Sequence, residues 1–380
     1  MAITLGVTRE TRPSECRVAL TPEIAAKFSA LGATILVERG SGLAAQFPDQ
    51  SYKNVEFAAA ADILARADIL LKVQPLSLVE ATSLKQGAIH VGFMQPHHHL
   101  NIVKGLRDRH VTSFAMELVP RISRAQSMDA LSSQASVAGY KAVLIAANAM
   151  GKFLPMLTTA AGTIRPAQVL IIGVGVAGLQ AIATAKRLGA MVEAYDVRSA
   201  TREQVKSLGA KFVETGILAE GVGGYARELT AEERAQQQAA LDNRIAVADA
   251  VITTAGVPGR PAPQIVSAQA VARMKPGSVI VDILAENGGN CELSKAGETV
   301  THNGVSIIGP VNLPSQLAYH ASEMYSRNLY NFLAPAFKAS EIQIDWSDEV
   351  FAGTALTHAG QVRHAATAEL IKAGNEEGQQ

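Results

Sequence analysis

The chain has 380 residues, more than one compact domain usually holds, so two domains are expected. Its 34 basic and 34 acidic side chains cancel, which leaves no net field to gather nucleic acid or an anionic membrane surface; neither is expected as a partner. A hydrophobic fraction of 48% against 18% charged residues points to large parallel sheets, whose strands are apolar on both faces.

The N-terminal Met1–Gly6 enters a strand without a basic segment ahead of a longer apolar core, so no secretory signal is expected. Cys16 and Cys291 are too few for a disulfide framework or a cysteine-based zinc site, and a reducing cytoplasm is the expected location. Short β-branched runs then alternate with helical segments, the pattern of βαβ units. Strands are predicted at Ile3–Val7, Thr34–Val37, Ile69–Val73, Ile89–Phe93 and Thr112–Met116. The run His97–His99 is not read as a metal site, because three adjacent side chains cannot share one face and no carboxylate or cysteine stands at ligand spacing.

Pro120–Ser133 places Arg121, Arg124, Gln126, Asp129 and Ser132 in one short span. That density of hydrogen-bonding groups is unusual for a segment that only connects elements; the competing reading is a capped, solvated helix start. Ser132–Met150, rich in Ala, Ser and Val, predicts a helix joining the domains.

Gly173, Gly175 and Gly178 follow the apolar run Gln168–Ile172 and precede the helical stretch Leu179–Leu188. In a strand-to-helix turn the first glycine permits the tight bend, the second lets the backbone approach a pyrophosphate, and the third lets helix and strand pack closely. Phosphate charge then rests on free N–H groups at a helix N-terminus. The next apolar run ends in Asp196, whose carboxylate can accept from both ribose hydroxyls of NAD and would repel a 2′-phosphate. NAD is therefore favoured over NADP.

Six strands are predicted from this point, at Val169–Ile172, Val192–Asp196, Lys211–Glu214, Ala250–Thr253, Val279–Asp282 and Ser306–Ile308, with the doubly wound order 3-2-1-4-5-6. Between them, Gly221–Tyr225 is glycine-rich and carries an aromatic, the composition of a lid. Leu229–Leu241, with three consecutive glutamines, reads as a solvated helix face. Ala318–Leu333 predicts a helix returning to the first domain, which makes that domain discontinuous: residues 1–131 with 313–380, around a dinucleotide domain at 132–312. The longest apolar stretch, Val169–Ala185, contains the glycine turn and Gln180, so no direct membrane insertion is expected. The fold class is α/β, with two doubly wound parallel-sheet (Rossmann-like) domains.

Pro120–Tyr140, Gly173–Gln180, Asp196–Arg198, Gly224–Ala226, Pro258–Pro263 and Gly288–Cys291 together resemble the NAD(H)-binding component, domain I, of proton-translocating nicotinamide nucleotide transhydrogenases, in particular its form as a separate soluble α1 subunit. The resemblance covers nearly the whole chain. It implies hydride transfer between NADH held here and NADP held by an NADP(H)-binding partner subunit. Proton translocation would reside in a membrane-spanning subunit, which would hold this chain at the inner face of the cytoplasmic membrane. It further implies a homodimer. By the same resemblance Arg121, Gln126, Asp129 and Ser132 contact the nicotinamide end, while Gly173, Gly175, Val176, Gly178, Asp196, Val197, Arg198 and Tyr225 bind the rest of the nucleotide, Tyr225 through a mobile loop.

Alanine dehydrogenase, a related soluble enzyme of the same plan, is the alternative. Oxidative deamination needs a proton-handling group, which that family supplies with a histidine near the end of a first-domain strand and an acid in the second domain. Phe93 stands about where that histidine would fall, Lys72 remains in the step where the relative binds substrate carboxylate, and Glu286 is the available acid.

Overall fold

The computed structural model describes residues 3–215, 230–256, 259–338 and 341–377. The chain divides into two compact units, Met1–Gln134 with Ser315–Gln380, and Ala135–Pro314.

In the first unit the strands β1 (Thr4–Val7), β2 (Thr34–Glu38), β3 (Glu56–Ala58), β4 (Ile69–Leu71), β5 (Ile89–Gly92) and β6 (Thr112–Ala115) pair in parallel in the order β3-β2-β1-β4-β5-β6. Because side chains alternate along each strand, Leu5, Val7, Ile35, Val37, Ile69 and Leu71 enter one core, while Leu36 and Leu70 enter another on the opposite face. Sequence reading omits β3, a three-residue edge strand with no buried position and hence no apolar run to signal it.

The helix Ala130–Ala149 carries the chain into the second unit. An antiparallel hairpin follows, β7 (Leu157–Thr159) and β8 (Gly162–Ile164), exposed at every position and likewise without a burial pattern to predict it. The main sheet contains β9 (Gln168–Ile172), β10 (Met191–Tyr195), β11 (Lys211–Phe212), β12 (Ala250–Thr253), β13 (Val279–Asp282), β14 (Thr299–His302) and β15 (Val305–Ile308), ordered β11-β10-β9-β12-β13-β15-β14. Without β14 this is the predicted 3-2-1-4-5-6 arrangement; β14 adds an antiparallel edge that sequence reading takes for a connection. The glutamine-rich helix, Ala231–Val247, starts at a capping box between Thr230 and Glu233 and buries Leu241 and Ile245.

The returning helix Ala318–Leu333 packs Tyr325, Leu329 and Phe332 into the first unit's core. Beyond it lie the hairpin β16 (Phe337–Lys338) and β17 (Glu341–Ile342), then β18 (Ala355–His358) and β19 (Gln361–Val362). β18 runs antiparallel to β6 and β19 antiparallel to β18, so the first unit's sheet is not wholly parallel as the sequence suggests. Among the described residues no helix is long and apolar enough to cross a membrane.

Candidate functional site

In the second unit β9 ends at Ile172 and Gly173 turns the chain at φ +94°, a left-handed conformation that side chains resist. Gly178 is required by space: a Cβ there would lie 1.9 Å from the Gly173 carbonyl oxygen. At Gly175, by contrast, a Cβ would meet nothing within 4 Å. Gly175 is the N-cap of the helix Val176–Arg187, so its open face lies beside the first-turn N–H groups that have no intrahelical partner. The turn is pinned by Thr254, whose hydroxyl donates to Gly173 O at 2.8 Å. Two of the three glycines thus close the turn, and Gly175 leaves open space beside it. Val176 and Val197 are both exposed beside these segments.

Asp196 follows β10 directly. Its Oδ2 accepts from Val174 N at 2.7 Å, and its Oδ1 from Arg198 N at 2.9 Å, so the acid is clamped to the glycine turn. The Arg198 guanidinium forks onto both oxygens, with Nε and Nη2 each at 2.9 Å. Burial favours the neutral acid, but the Arg198 side chain and the N–H donors of Arg198 and Val174 outweigh it and hold the carboxyl below its usual range. The acid is therefore ionised and fixed in place, and the arginine is engaged with it rather than free.

The segment of dense polar residues forms a 3-10 turn, Ser123–Met128, in the first unit. Asp129 spends its carboxylate on Ser132, taking the main-chain N–H at 2.9 Å and the hydroxyl at 2.6 Å. Asp129 thereby caps the helix Ala130–Ala149 through two of its roughly four acceptor positions. Arg124 forks onto Asp348. Gln126 and Arg121 are exposed, and their side chains bond to no other described residue. Asp129 and Ser132, bonded to each other, each keep acceptor positions that no other described residue takes. Tyr225 lies outside the described residues.

Several supporting residues escape sequence reading. Asn328 donates to Ser127 O at 2.9 Å and accepts from the Ser133 hydroxyl at 2.7 Å, while Asn331 reaches the same carbonyl at 3.1 Å. In the second unit Asn290 is wholly buried: it accepts from Ala255 N at 3.0 Å and donates to Ala255 O and Pro263 O, tying the segment after β12 to the Gly288–Cys291 run. Asp282 in turn receives Asn290 N and Cys291 N. Gly139 brings the helix Ala130–Ala149 against the nucleotide-type turn, since a Cβ there would lie 2.1 Å from Ala177 O. Asn290 stands among glycines and acids and Asn328 beside Ser326 and Arg327, so nothing local marks either as buried or names its partners.

The residues that would serve a deaminating dehydrogenase are occupied or absent. Phe93 packs its ring 5.3 Å from that of Tyr325. Lys72 is buried, with Nζ 3.2 Å from Glu80, 3.6 Å from Glu10 and 3.0 Å from Arg9 O. Glu286 accepts from Asn312 N at 2.9 Å and so braces a turn where Asn312 has φ +44°. The buried histidine near this strand end is His90, whose imidazole is pushed down to about 3 by burial and by the Lys72 ammonium, against an opposing pull from Glu80. At pH 7 such a ring holds no proton to donate as an imidazolium. Among the described residues no group of histidine, cysteine and acidic side chains could hold a metal ion.

Residues 6–138 match the alanine dehydrogenase/PNT N-terminal domain and residues 142–365 the alanine dehydrogenase/PNT C-terminal domain. The chain is 45% identical over 379 residues to the first-part polypeptide of NAD(P) transhydrogenase subunit alpha from Rhodospirillum rubrum, an alignment covering 95% of this chain and 98% of that protein. The crystal structure of transhydrogenase from Sinorhizobium meliloti superposes with a TM-score of 0.86 at 44% identity, covering 94% of this chain and 99% of that one. An L-alanine dehydrogenase structure is similar with a TM-score of 0.79 at 25% identity, covering 98% and 99%.

Proposed function

Because this chain belongs to the alanine dehydrogenase/PNT family, we propose that it is the NAD(H)-binding subunit of an NAD(P) transhydrogenase. The observation that carries the NAD assignment is the ionised Asp196 clamped beside the open backbone at Gly175: an acid for ribose hydroxyls next to a helix N-terminus for a pyrophosphate. When bound, the nicotinamide supplies the carbon that gives or takes hydride. Gln126, Arg121, Asp129 and Ser132 orient it, with Asp129 also capping the helix that follows.

Hydride exchange between two nicotinamides leaves no substrate proton to move, so the chain needs positioning groups and no general acid. That requirement favours transhydrogenase over alanine dehydrogenase here, since Phe93 cannot carry a proton and Lys72 is already engaged by Glu80 and Glu10. The NADP(H) is held by a second subunit, and a membrane-spanning subunit couples the exchange to proton translocation, placing this chain peripherally at the inner face of the cytoplasmic membrane. The chain acts as a homodimer.

The test is to mix the purified chain with an NADP-binding transhydrogenase component and follow redox exchange between NADH and an NADP analogue. Exchange that depends on both components supports the reading. NADH binding without exchange would instead make the chain a nucleotide-sensing module.

A further inference from the structure

A carboxylate offers about four acceptor positions, two on each oxygen. On Asp196 the chain's own donors take four: Arg198 N and Arg198 Nε on Oδ1, Val174 N and Arg198 Nη2 on Oδ2, at 2.7 to 2.9 Å. These donors are not equivalent. Val174 N and Arg198 N belong to the main chain, the first of them inside the glycine turn. The guanidinium ends a side chain that is 59% exposed, covering an acid whose own side chain is only 7% exposed. Its one other described bond is a long one, Nη2 to Val174 O at 3.3 Å. Two hydroxyl donors arriving at Asp196 must therefore take the positions of Nε and Nη2.

We propose that Arg198 is a specificity-determining gate on the adenosine ribose: its guanidinium competes with the 2′- and 3′-hydroxyls for the same acceptor positions on Asp196, and once displaced it moderates the exclusion of a 2′-phosphate. The inference rests on the reading of Asp196 as the ribose acid. Arg198 N remains bonded to Oδ1, so the displaced guanidinium stays within one side chain's length of the 2′ position. A guanidinium is suited to a phosphate there, binding it by a planar fork of donors. The same side chain thus weakens the binding of a nucleotide with free ribose hydroxyls and softens the rejection of a phosphorylated one.

Titrations of the full chain with NADH and NADPH, and with 5′-AMP and adenosine 2′,5′-bisphosphate as probes lacking nicotinamide, test this in Arg198→Ala, Arg198→Lys and Asp196→Ala. In Arg198→Ala, NADH should bind about threefold to tenfold tighter and the preference for NADH over NADPH should widen about tenfold, the scale of one charge-assisted hydrogen bond. Arg198→Lys keeps the charge and loses the fork, so NADH should tighten while the preference stays within about threefold of the unmodified chain. The AMP pair should repeat the change in preference. Weaker NADH binding in both arginine variants with the preference unchanged would overturn the gate and make Arg198 an ordinary contact; the lysine variant decides if the alanine variant does not fold. Failure of the unmodified chain to bind NADH, or NADH binding indifferent to Asp196→Ala, would instead sink the nucleotide reading beneath it.

Discussion

Asp196 shows how much of a residue's chemistry depends on its partners. Removing its carboxylate by Asp196→Ala should cost about 1.5 to 3 kcal/mol of NADH binding, the scale of hydrogen bonds to a charged group, and should reduce the preference over NADPH. Calorimetric titration checks both; equal affinities of the unmodified chain for NADH and NADPH would refute the assignment. A second expectation concerns stability. His90 has an ordinary value of 6.5 and stands at about 3 in the fold, facing Lys72 and Glu80 and bonded through Nδ1 to the Ser113 hydroxyl. Between those values the unfolded chain takes up a proton that the folded chain refuses, so the contribution is intact above about 6.5 and erodes as pH falls toward 3. From pH 7 to pH 5 this group alone should remove about 2 kcal/mol of unfolding free energy. Denaturant titrations of His90→Gln should show a loss over that interval smaller by about this amount; an unchanged loss would assign the acid sensitivity to other groups.

The segment Arg121–Ser132 illustrates how an element is held from a distance. Its 3-10 turn is braced by Asn328 and Asn331 on the helix Ala318–Leu333 and by Asp348 beyond it, which leaves Gln126 and Arg121 presented on a fixed backbone. Gln126→Asn should slow hydride transfer by roughly tenfold, a barrier increase near 1.4 kcal/mol, with NADH affinity within a few fold, because the shortened side chain misplaces a ring that other contacts still bind. Single-turnover exchange with the NADP-binding component would show it, and an unchanged rate would remove Gln126 from the positioning role. Asn328→Ala should destabilise the first unit by about 1 to 3 kcal/mol, leaving the Ser133 hydroxyl with Ala130 O as its remaining acceptor and the Ser127 carbonyl with one donor fewer. Amide exchange should rise across residues 121–132 ahead of the rest of the unit; protection that falls uniformly would mean the asparagine supports the core and not this turn.

The six parallel strands of the two units follow one order, and the units differ in what the C-terminal ends of those strands present. The second unit offers an accessible glycine turn and an ionised acid. The corresponding end of β1 and β4 in the first unit is filled by its own charges: Lys72 meets Glu10 and Glu80, and Arg17 forks onto Glu15, whose carboxyl burial would raise but Arg17 and Gln74 bring down to about 2. A small carboxylate substrate finds neither cation free. The purified chain should accordingly produce no alanine from pyruvate, ammonia and NADH, as followed by NADH absorbance. Robust alanine formation would overturn the choice between the two enzymes of the family.

The doubly wound sheets, the glycine turn and the acid at the end of β10 are legible in the chain because each is written locally: strand and helix periodicities, the spacing of Gly173, Gly175 and Gly178, and a carboxylate placed just after an apolar run. The sequence does not contain β3, β14, β18 or β19 in legible form. β3, β14 and β19 are short or partly exposed edge strands, and β18, though buried between β6 and β19, is only four residues long with polar Thr357 and His358, so none has a strong apolar pattern of its own. The cluster Arg121–Ser132 is visible as composition, but its bonding partners come from the packed fold. Asp129 and Ser132 close on each other, Arg124 is taken by Asp348 far along the chain, and Gln126 and Arg121 keep their donors. Arg198 makes the same point two residues from Asp196. Charge and position are properties of the sequence, whereas the competition for each lone pair is settled by which donors the folded backbone brings within about 3 Å.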